Sequence, residues 1–168
     1  MKSATSDIED ETSEEYFETV QTKIPYLEAV TKETLRKYPS VIRLERRAKK
    51  DGLVIGGVEL KKDQLVQVST YAVHMDPEYY PDPKRWNPER FMPENKDKLV
   101  PYTYLPFGTG PRNCVGMRFA YQEIKLCLAR VITHFRFRRA PTTKEPVEFR
   151  KGAFLITPVT LDLAVEKR

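Results

Sequence analysis

Apolar residues recur at helical spacing in two stretches of the chain. In residues 24–38, Leu27, Val30, Thr34 and Tyr38 fall three or four apart, Pro25 suits a first turn and Pro39 stops the run. In residues 117–134, Phe119, Ala120, Ile124, Cys127, Leu128 and Val131 form a second stripe, which makes Cys127 a core position. Elsewhere the period is two. Residues 40–46 alternate apolar and charged side chains as a half-buried strand does. Leu53-Val54-Ile55 and Val58-Glu59-Leu60 flank Gly56-Gly57 and predict a hairpin, with another strand over 64–69. Short strands are expected at 135–138, 147–149 and 160–165. The elements add up to an α+β chain, mainly α.

Two segments follow neither period. The first 23 residues carry an acidic run with little apolar content beyond Ile8, Tyr16 and Phe17, and are expected to be irregular or weakly helical. The folded part is therefore expected to span residues 24–168. Residues 77–101 are rich in proline and predict extended coil, with Trp86, Phe91 and Met92 as anchors.

Composition narrows the class of protein. The 168 residues are 40% hydrophobic, enough for one domain with a real core. A net charge of +5 admits an anionic partner, but 32% of residues are charged with both signs interspersed. That distribution reads as a solvated surface and not as a nucleic-acid footprint. No apolar run approaches a membrane span, and the start of the chain lacks a signal-peptide core. Cys114, Cys127, His74 and His134 lack the close pairing of a structural zinc site, and both thiols are expected to be reduced. His74, within Tyr71-Ala72-Val73-His74-Met75-Asp76-Pro77, is expected to cap, pack or be exposed rather than to act in catalysis.

The stretch that periodicity leaves unexplained is also the richest in chemistry: Phe107-Gly108-Thr109-Gly110-Pro111-Arg112-Asn113-Cys114-Val115-Gly116. It sets three glycines and an arginine around one cysteine, just ahead of the second helix. Unsatisfied N–H groups and the helix dipole favour a negative sulfur there. Gly108 and Gly110 permit the positive φ of a tight turn, and Gly116 leaves the space beyond the sulfur open. Arg112 offers a planar fork suited to a carboxylate. A thiolate beside a carboxylate-seeking arginine suggests a haem, whose iron takes the first and whose propionates take the second.

This loop matches FxxGxRxCxG, the pattern of the haem-thiolate monooxygenases, at every defined position, and the chain thereby resembles the cytochrome P-450 family. Glu33-Thr34-Leu35-Arg36 resembles that family's ExxR motif. On the residues alone, Glu33 and Arg36 are an exposed helical pair of little consequence. The resemblance makes them a buried structural network completed by Arg90 of Pro88-Glu89-Arg90-Phe91. The wording of RLER, YAVHMDP, PFGTGPRNC and GMRFA is most similar to microsomal subfamily A of family three, whose members oxidise large lipophilic compounds, drugs among them.

The resemblance implies the C-terminal third of the P-450 fold: ExxR helix, small β hairpins, proline-rich meander, cysteine loop, long helix and C-terminal strands. It implies haem b, with Cys114 as the axial ligand of the iron, Arg112 on a propionate and Arg46 on the other, Arg43 being the competing candidate. Phe107 would shield the sulfur, and Pro106, Val115, Gly116 and Ala120 would line the cofactor. Ser40, Val41 and Ile42 would border the substrate pocket, and Phe154 would either protrude into it or lie in the core. The implied chemistry inserts one oxygen atom from O2 into a lipophilic small molecule, with electrons from NADPH through cytochrome P-450 reductase and with cytochrome b5 as a possible partner. The implied location is the cytosolic face of the endoplasmic reticulum membrane. The family's central oxygen-activating helix and its membrane anchor have no counterpart in the sequence, so no residue here is assigned to catalysis. Two other readings compete. One is a catalytically silent basic module that binds a reductase through Arg112, Arg118, Lys125, Lys96 and Lys98; the other is a thiol hydrolase built on Cys114.

Overall fold

The computed structural model describes residues 2–5, 8–152 and 155–168. Helix α1 (Lys2–Thr5) is a single turn. The acidic segment expected to be irregular or weakly helical instead holds α2 (Glu14–Thr22). Ser13 caps it by accepting the Tyr16 N–H at 3.1 Å, and Glu14 and Glu15 meet the positive end of the dipole. Tyr16, Thr19 and Val20, three and four apart, form its buried stripe.

Helix α3 (Pro25–Lys37) lies where the spacing predicts, but its inner face is different. Leu27, Ala29, Thr31, Glu33 and Arg36 are buried, while Thr34, Tyr38 and Tyr26 are exposed. Two two-stranded antiparallel ribbons follow, built from β1 (Leu44–Arg47), β2 (Leu53–Ile55), β3 (Val58–Leu60) and β4 (Leu65–Val68), with β1 on β4 and β2 on β3. The β2–β3 turn is Gly56-Gly57, with φ of +57° and +80°. Helix α4 (Thr70–His74) is short and ends on a buried histidine.

The proline-rich meander is not plain coil. It contains 3-10 turns at Pro88–Phe91 and Pro93–Lys98, the first capped by the Asn87 side chain. Phe91 is buried and Met92 packs beside it, whereas Trp86 is 44% exposed and lies outside that cluster. Helix α5 (Met117–His134) runs as predicted and leads directly into β5 (Phe135–Arg139), which pairs with β6 (Leu163–Lys167).

Two apolar clusters hold these elements together. Tyr16, Val20, Leu27 and Ala129 join α2, α3 and α5, with Leu126 and Leu128 alongside. Ala29, Tyr80 and Phe91 join α3 to the meander, with Tyr104 and Leu99 at the edge. The buried residues of α5 are Lys125 and Ala129, so the stripe through Phe119 and Cys127 is not the core face. Cys127 is exposed, contrary to its expected core position. The Lys125 ammonium donates to Gln21 O at 3.0 Å and to Glu28 at 3.1 Å, tying α5 to the end of α2 and to α3. Among the described residues, no helix is long and apolar enough to cross a membrane.

Candidate functional site

The buried pair comes first, because it fixes what the loop rests on. Glu33 and Arg36, one helical turn apart, have no exposed surface. Arg36 Nε and Nη2 donate to the two Glu33 oxygens at 2.7 and 2.8 Å, a bidentate pair. Its remaining N–H groups reach His74 O at 2.6 Å, Pro83 O at 2.8 Å and Met75 Sδ at 3.7 Å, and the guanidinium lies over the Tyr80 ring. Glu33 also accepts the Asn87 N–H at 2.9 Å. Arg90 approaches Glu33 at 3.7 Å and donates to Pro81 O and Asp82 O at 2.6 and 2.9 Å. Burial lowers the Arg90 guanidinium from its usual value, with Glu33 opposing. Glu33, Arg36 and Arg90 thus meet in one place.

His74, which the sequence left as a capping, packing or exposed residue, is buried in the same cluster. Its ring is buried, with Nδ1 3.1 Å from Arg36 O and Nε2 accepting the Leu105 N–H at 2.8 Å. Burial, with the Arg36 charge acting in the same sense, lowers its pKa from the ordinary 6.5 to about 4, against the opposing bond to Arg36 O. No spacing rule marks it. The signal was its place before Asp76-Pro77, where a chain turning into the meander needs its polar groups satisfied.

Leu105 opens the cysteine loop. Gly108 N–H donates to Leu105 O at 3.1 Å, Asn113 N–H to Gly110 O at 3.1 Å and Cys114 N–H to Phe107 O at 2.9 Å. Gly108 and Gly110 take φ of +71° and +75°, which only glycine adopts without strain. Gly108 also packs on β1, where an added Cβ would stand 3.7 Å from Leu44 Cδ1. Gly116 takes φ −85°, and a Cβ there would meet Cys114 Sγ at an ordinary 4.0 Å, so its freedom is not required by the backbone. Cys114 is exposed two residues ahead of the Gly116 cap of α5, and Val115 is fully exposed. Pro106, Phe107 and Ala120 are half-buried, and the Phe107 ring packs 5.2 Å from that of Tyr121.

Arg46 and Arg112 come together across the loop. Arg46 Nη2 donates to Arg112 O at 3.2 Å, and both line a polar cleft of about 350 Å³ with Glu45, Arg47 and Leu65. The Glu45 carboxylate is held by Arg43 at 2.8 Å and Gln67 at 2.6 Å. Arg46, and not Arg43, therefore faces this cleft, and neither Arg46 nor Arg112 pairs with a carboxylate among the described residues.

Ser40, Val41 and Ile42 lie elsewhere. Ser40 O accepts the Ile156 N–H at 3.1 Å, Val41 bridges to Leu155, and Ile42 lines a second cleft of about 270 Å³ with Tyr38, Tyr71, Phe149 and Leu155. Phe154 lies outside the described residues. The two clefts share no lining residue. Of the basic set proposed for a partner surface, Lys125 is withdrawn, since its ammonium is buried and bonded.

No group of three or more His, Cys, Asp or Glu side chains among the described residues could hold a metal by itself. The donor set is instead one exposed thiol, two guanidiniums with no carboxylate partner among the described residues, and exposed apolar surface at Val115 and Phe119, the latter 68% exposed. It fits a flat apolar macrocycle bearing an iron and two carboxylates, and fits a hydrolase poorly, since His74 is spent on backbone groups and His134 pairs with Glu11.

The fold is a partial domain of mixed α and β structure, and the family model for cytochrome P450 matches residues 11–165. The chain belongs to the cytochrome P450 family. It is 44% identical over 146 residues to cytochrome P450 3A7 of Homo sapiens and 45% identical over 146 residues to cytochrome P450 3A12 of Canis lupus familiaris, alignments that cover 87% of this chain and 29% of each relative. With cytochrome P450 3A29 of Sus scrofa it shares 48% over 126 residues, 75% of the chain and 25% of that relative. The chain thus spans under a third of the length of these curated relatives.

Proposed function

We propose that this chain is the haem-binding part of a monooxygenase that inserts one oxygen atom from O2 into lipophilic substrates, using electrons from NADPH. The observation that carries the reading is Cys114, exposed on a glycine-turned loop whose root is fixed to a buried ion-pair network, with Arg46 and Arg112 sharing a cleft beside the same loop. Haem b, held by the Cys114 thiolate, would supply the activation of O2.

The chain's own residues do the rest. Cys114 would hold the iron through its sulfur, and Arg112 and Arg46 would hold the propionates by charge-assisted hydrogen bonds. Val115, Ala120 and the loop residues Pro106, Phe107 and Gly116 cover one apolar face and keep water from the sulfur. Glu33, Arg36 and Arg90 hold the scaffold, and Ser40–Ile42 with Phe154 border the substrate. Electrons arrive through an NADPH-dependent reductase docking on the basic side, with cytochrome b5 as a second donor. The whole protein resides on the cytosolic face of the endoplasmic reticulum membrane.

The test is spectroscopic. Loaded with haem and reduced under CO, the chain is expected to give the Soret band characteristic of thiolate ligation. Cys114→Ser should abolish that band and Cys127→Ser should leave it intact. An unchanged spectrum in Cys114→Ser would overturn the assignment.

A further inference from the structure

We propose that His74 is the positioning residue that carries the buried ion-pair network's rigidity into the cysteine loop, a role that rests on the haem-thiolate reading for its functional meaning. The contact is reciprocal. Arg36 Nη1 donates to the backbone carbonyl of His74 at 2.6 Å, and the His74 ring returns a bond to the backbone carbonyl of Arg36 at 3.1 Å, although the two residues lie 38 apart in sequence. The opposite ring nitrogen accepts the Leu105 N–H at 2.8 Å. One partner is a carbonyl and the other an amide N–H, so a single neutral tautomer satisfies both: Nδ1 carries the proton and Nε2 accepts.

The Leu105 peptide is the root of the loop. Its carbonyl accepts from Gly108, and two residues on the Phe107 carbonyl accepts from Cys114. A second line of contact runs through rings. His74 stacks on Tyr104 with centroids 5.7 Å apart, the Tyr104 hydroxyl meets that of Tyr121 at 3.0 Å, and Tyr121 packs against Phe107. His74 touches neither Cys114 nor the Arg46–Arg112 cleft. It acts on the sulfur only through the backbone it holds.

Two amide substitutions separate its two bonds. In His74→Asn the short amide reaches the Nδ1 position and keeps the bond to Arg36 O, but loses the acceptor for Leu105. In His74→Gln the longer amide places an oxygen near the Nε2 position and keeps that acceptor. In the full chain without haem, His74→Asn is expected to speed hydrogen exchange at the Leu105, Gly108 and Cys114 amides about tenfold while the α3 amides hold, the scale of one buried hydrogen bond. It should also change the rate of thiol labelling at Cys114 relative to Cys127, an exposed internal reference. His74→Gln should restore both. After haem loading, the thiolate fraction of the ferrous-CO spectrum should fall in His74→Asn and recover in His74→Gln.

Equal behaviour of the two variants, or faster exchange spread evenly over all helices, would overturn the proposal. If His74→Asn does not fold, His74→Gln decides alone: wild-type exchange at Leu105 and Cys114 supports the role and local loss there defeats it. If neither variant folds, the proposal also fails, because one lost bond would then not act locally. Exchange that splits as expected in a chain giving no thiolate band would retain the positioning role and reject the haem reading. A thiolate band without the split would do the reverse.

Discussion

The two halves of the site are built on opposite principles. Glu33 and Arg36 are themselves buried and satisfied: each N–H of the Arg36 guanidinium has an acceptor and both carboxylate oxygens have donors, while Arg90 Nε, 3.7 Å from Glu33, is left without a hydrogen-bond partner. Around Cys114 the sulfur, Val115 and Phe119 face outward, and Arg46 and Arg112 carry charges that no carboxylate answers among the described residues. The first region earns its stability from internal contacts. The second gives up burial for access, and its order is borrowed from the first through His74 and Leu105. Stability and ligand chemistry should therefore respond to different residues.

The largest effect tests the first half. Arg36→Met removes one partner of a fully buried pair and leaves the Glu33 carboxylate with the Asn87 N–H and a distant Arg90. Loss of one member of such a pair costs about 3–5 kcal/mol, a large share of a domain's stability. Urea denaturation of the two chains measures it. A loss below about 1 kcal/mol would mean that the network is not the anchor and that the contrast between the halves is false.

Acidity gives the next largest effect. The neutral His74 ring faces the Arg36 guanidinium and carbonyl from α3, the Tyr80 and Tyr104 rings from the meander and loop, and Glu33 behind Arg36. Its pKa is lowered to about 4 in the folded chain from the ordinary 6.5, so between those values the unfolded chain binds more protons. The contribution is fully present above pH 6.5 and is lost as pH falls towards 4, about 3 kcal/mol in all. The difference in denaturation midpoint between wild type and His74→Gln, followed from pH 7 to 4, isolates this ring from the surface carboxylates. A difference that stays constant over that range would show that the ring is not held neutral.

What the sequence disclosed, and what it hid, follows the same division. The loop was legible because its chemistry needs particular residue types at fixed positions: glycines at positive φ, an arginine and a cysteine. The positions of α3, α5 and the Gly56-Gly57 hairpin were legible from period and turn chemistry. Their inner faces were not. Counting apolar residues turns Glu33, Arg36 and Lys125 towards solvent, whereas these helices bury them against backbone carbonyls and partner charges. Cys127 and Tyr38 are exposed for the same reason, because the core face lies beside the apolar stripe and not on it. The helix at Glu14–Thr22 was hidden by its acidity, although Ser13 followed by two glutamates is a helix start. The partners of His74 were hidden because they are peptide groups brought close only by the fold.

The smallest effect on stability probes the second half. Val115 has no surface buried by the chain, so Val115→Ser has nothing to lose in the folded state and should shift stability by no more than about 0.5 kcal/mol. If Val115 covers the apolar face of a haem held by Cys114, the same change removes most of a valine's burial from the bound state. Burying that side chain is worth about 1.5 kcal/mol or more, so haem affinity should fall about tenfold. Titration of the haem-free chain, followed at the Soret band, reads the affinity, and urea denaturation reads the stability. An unaltered affinity would remove Val115 from the cofactor face. A stability loss above 1 kcal/mol would break the comparison itself, since a residue that stabilises the fold cannot belong to a half that is open to solvent.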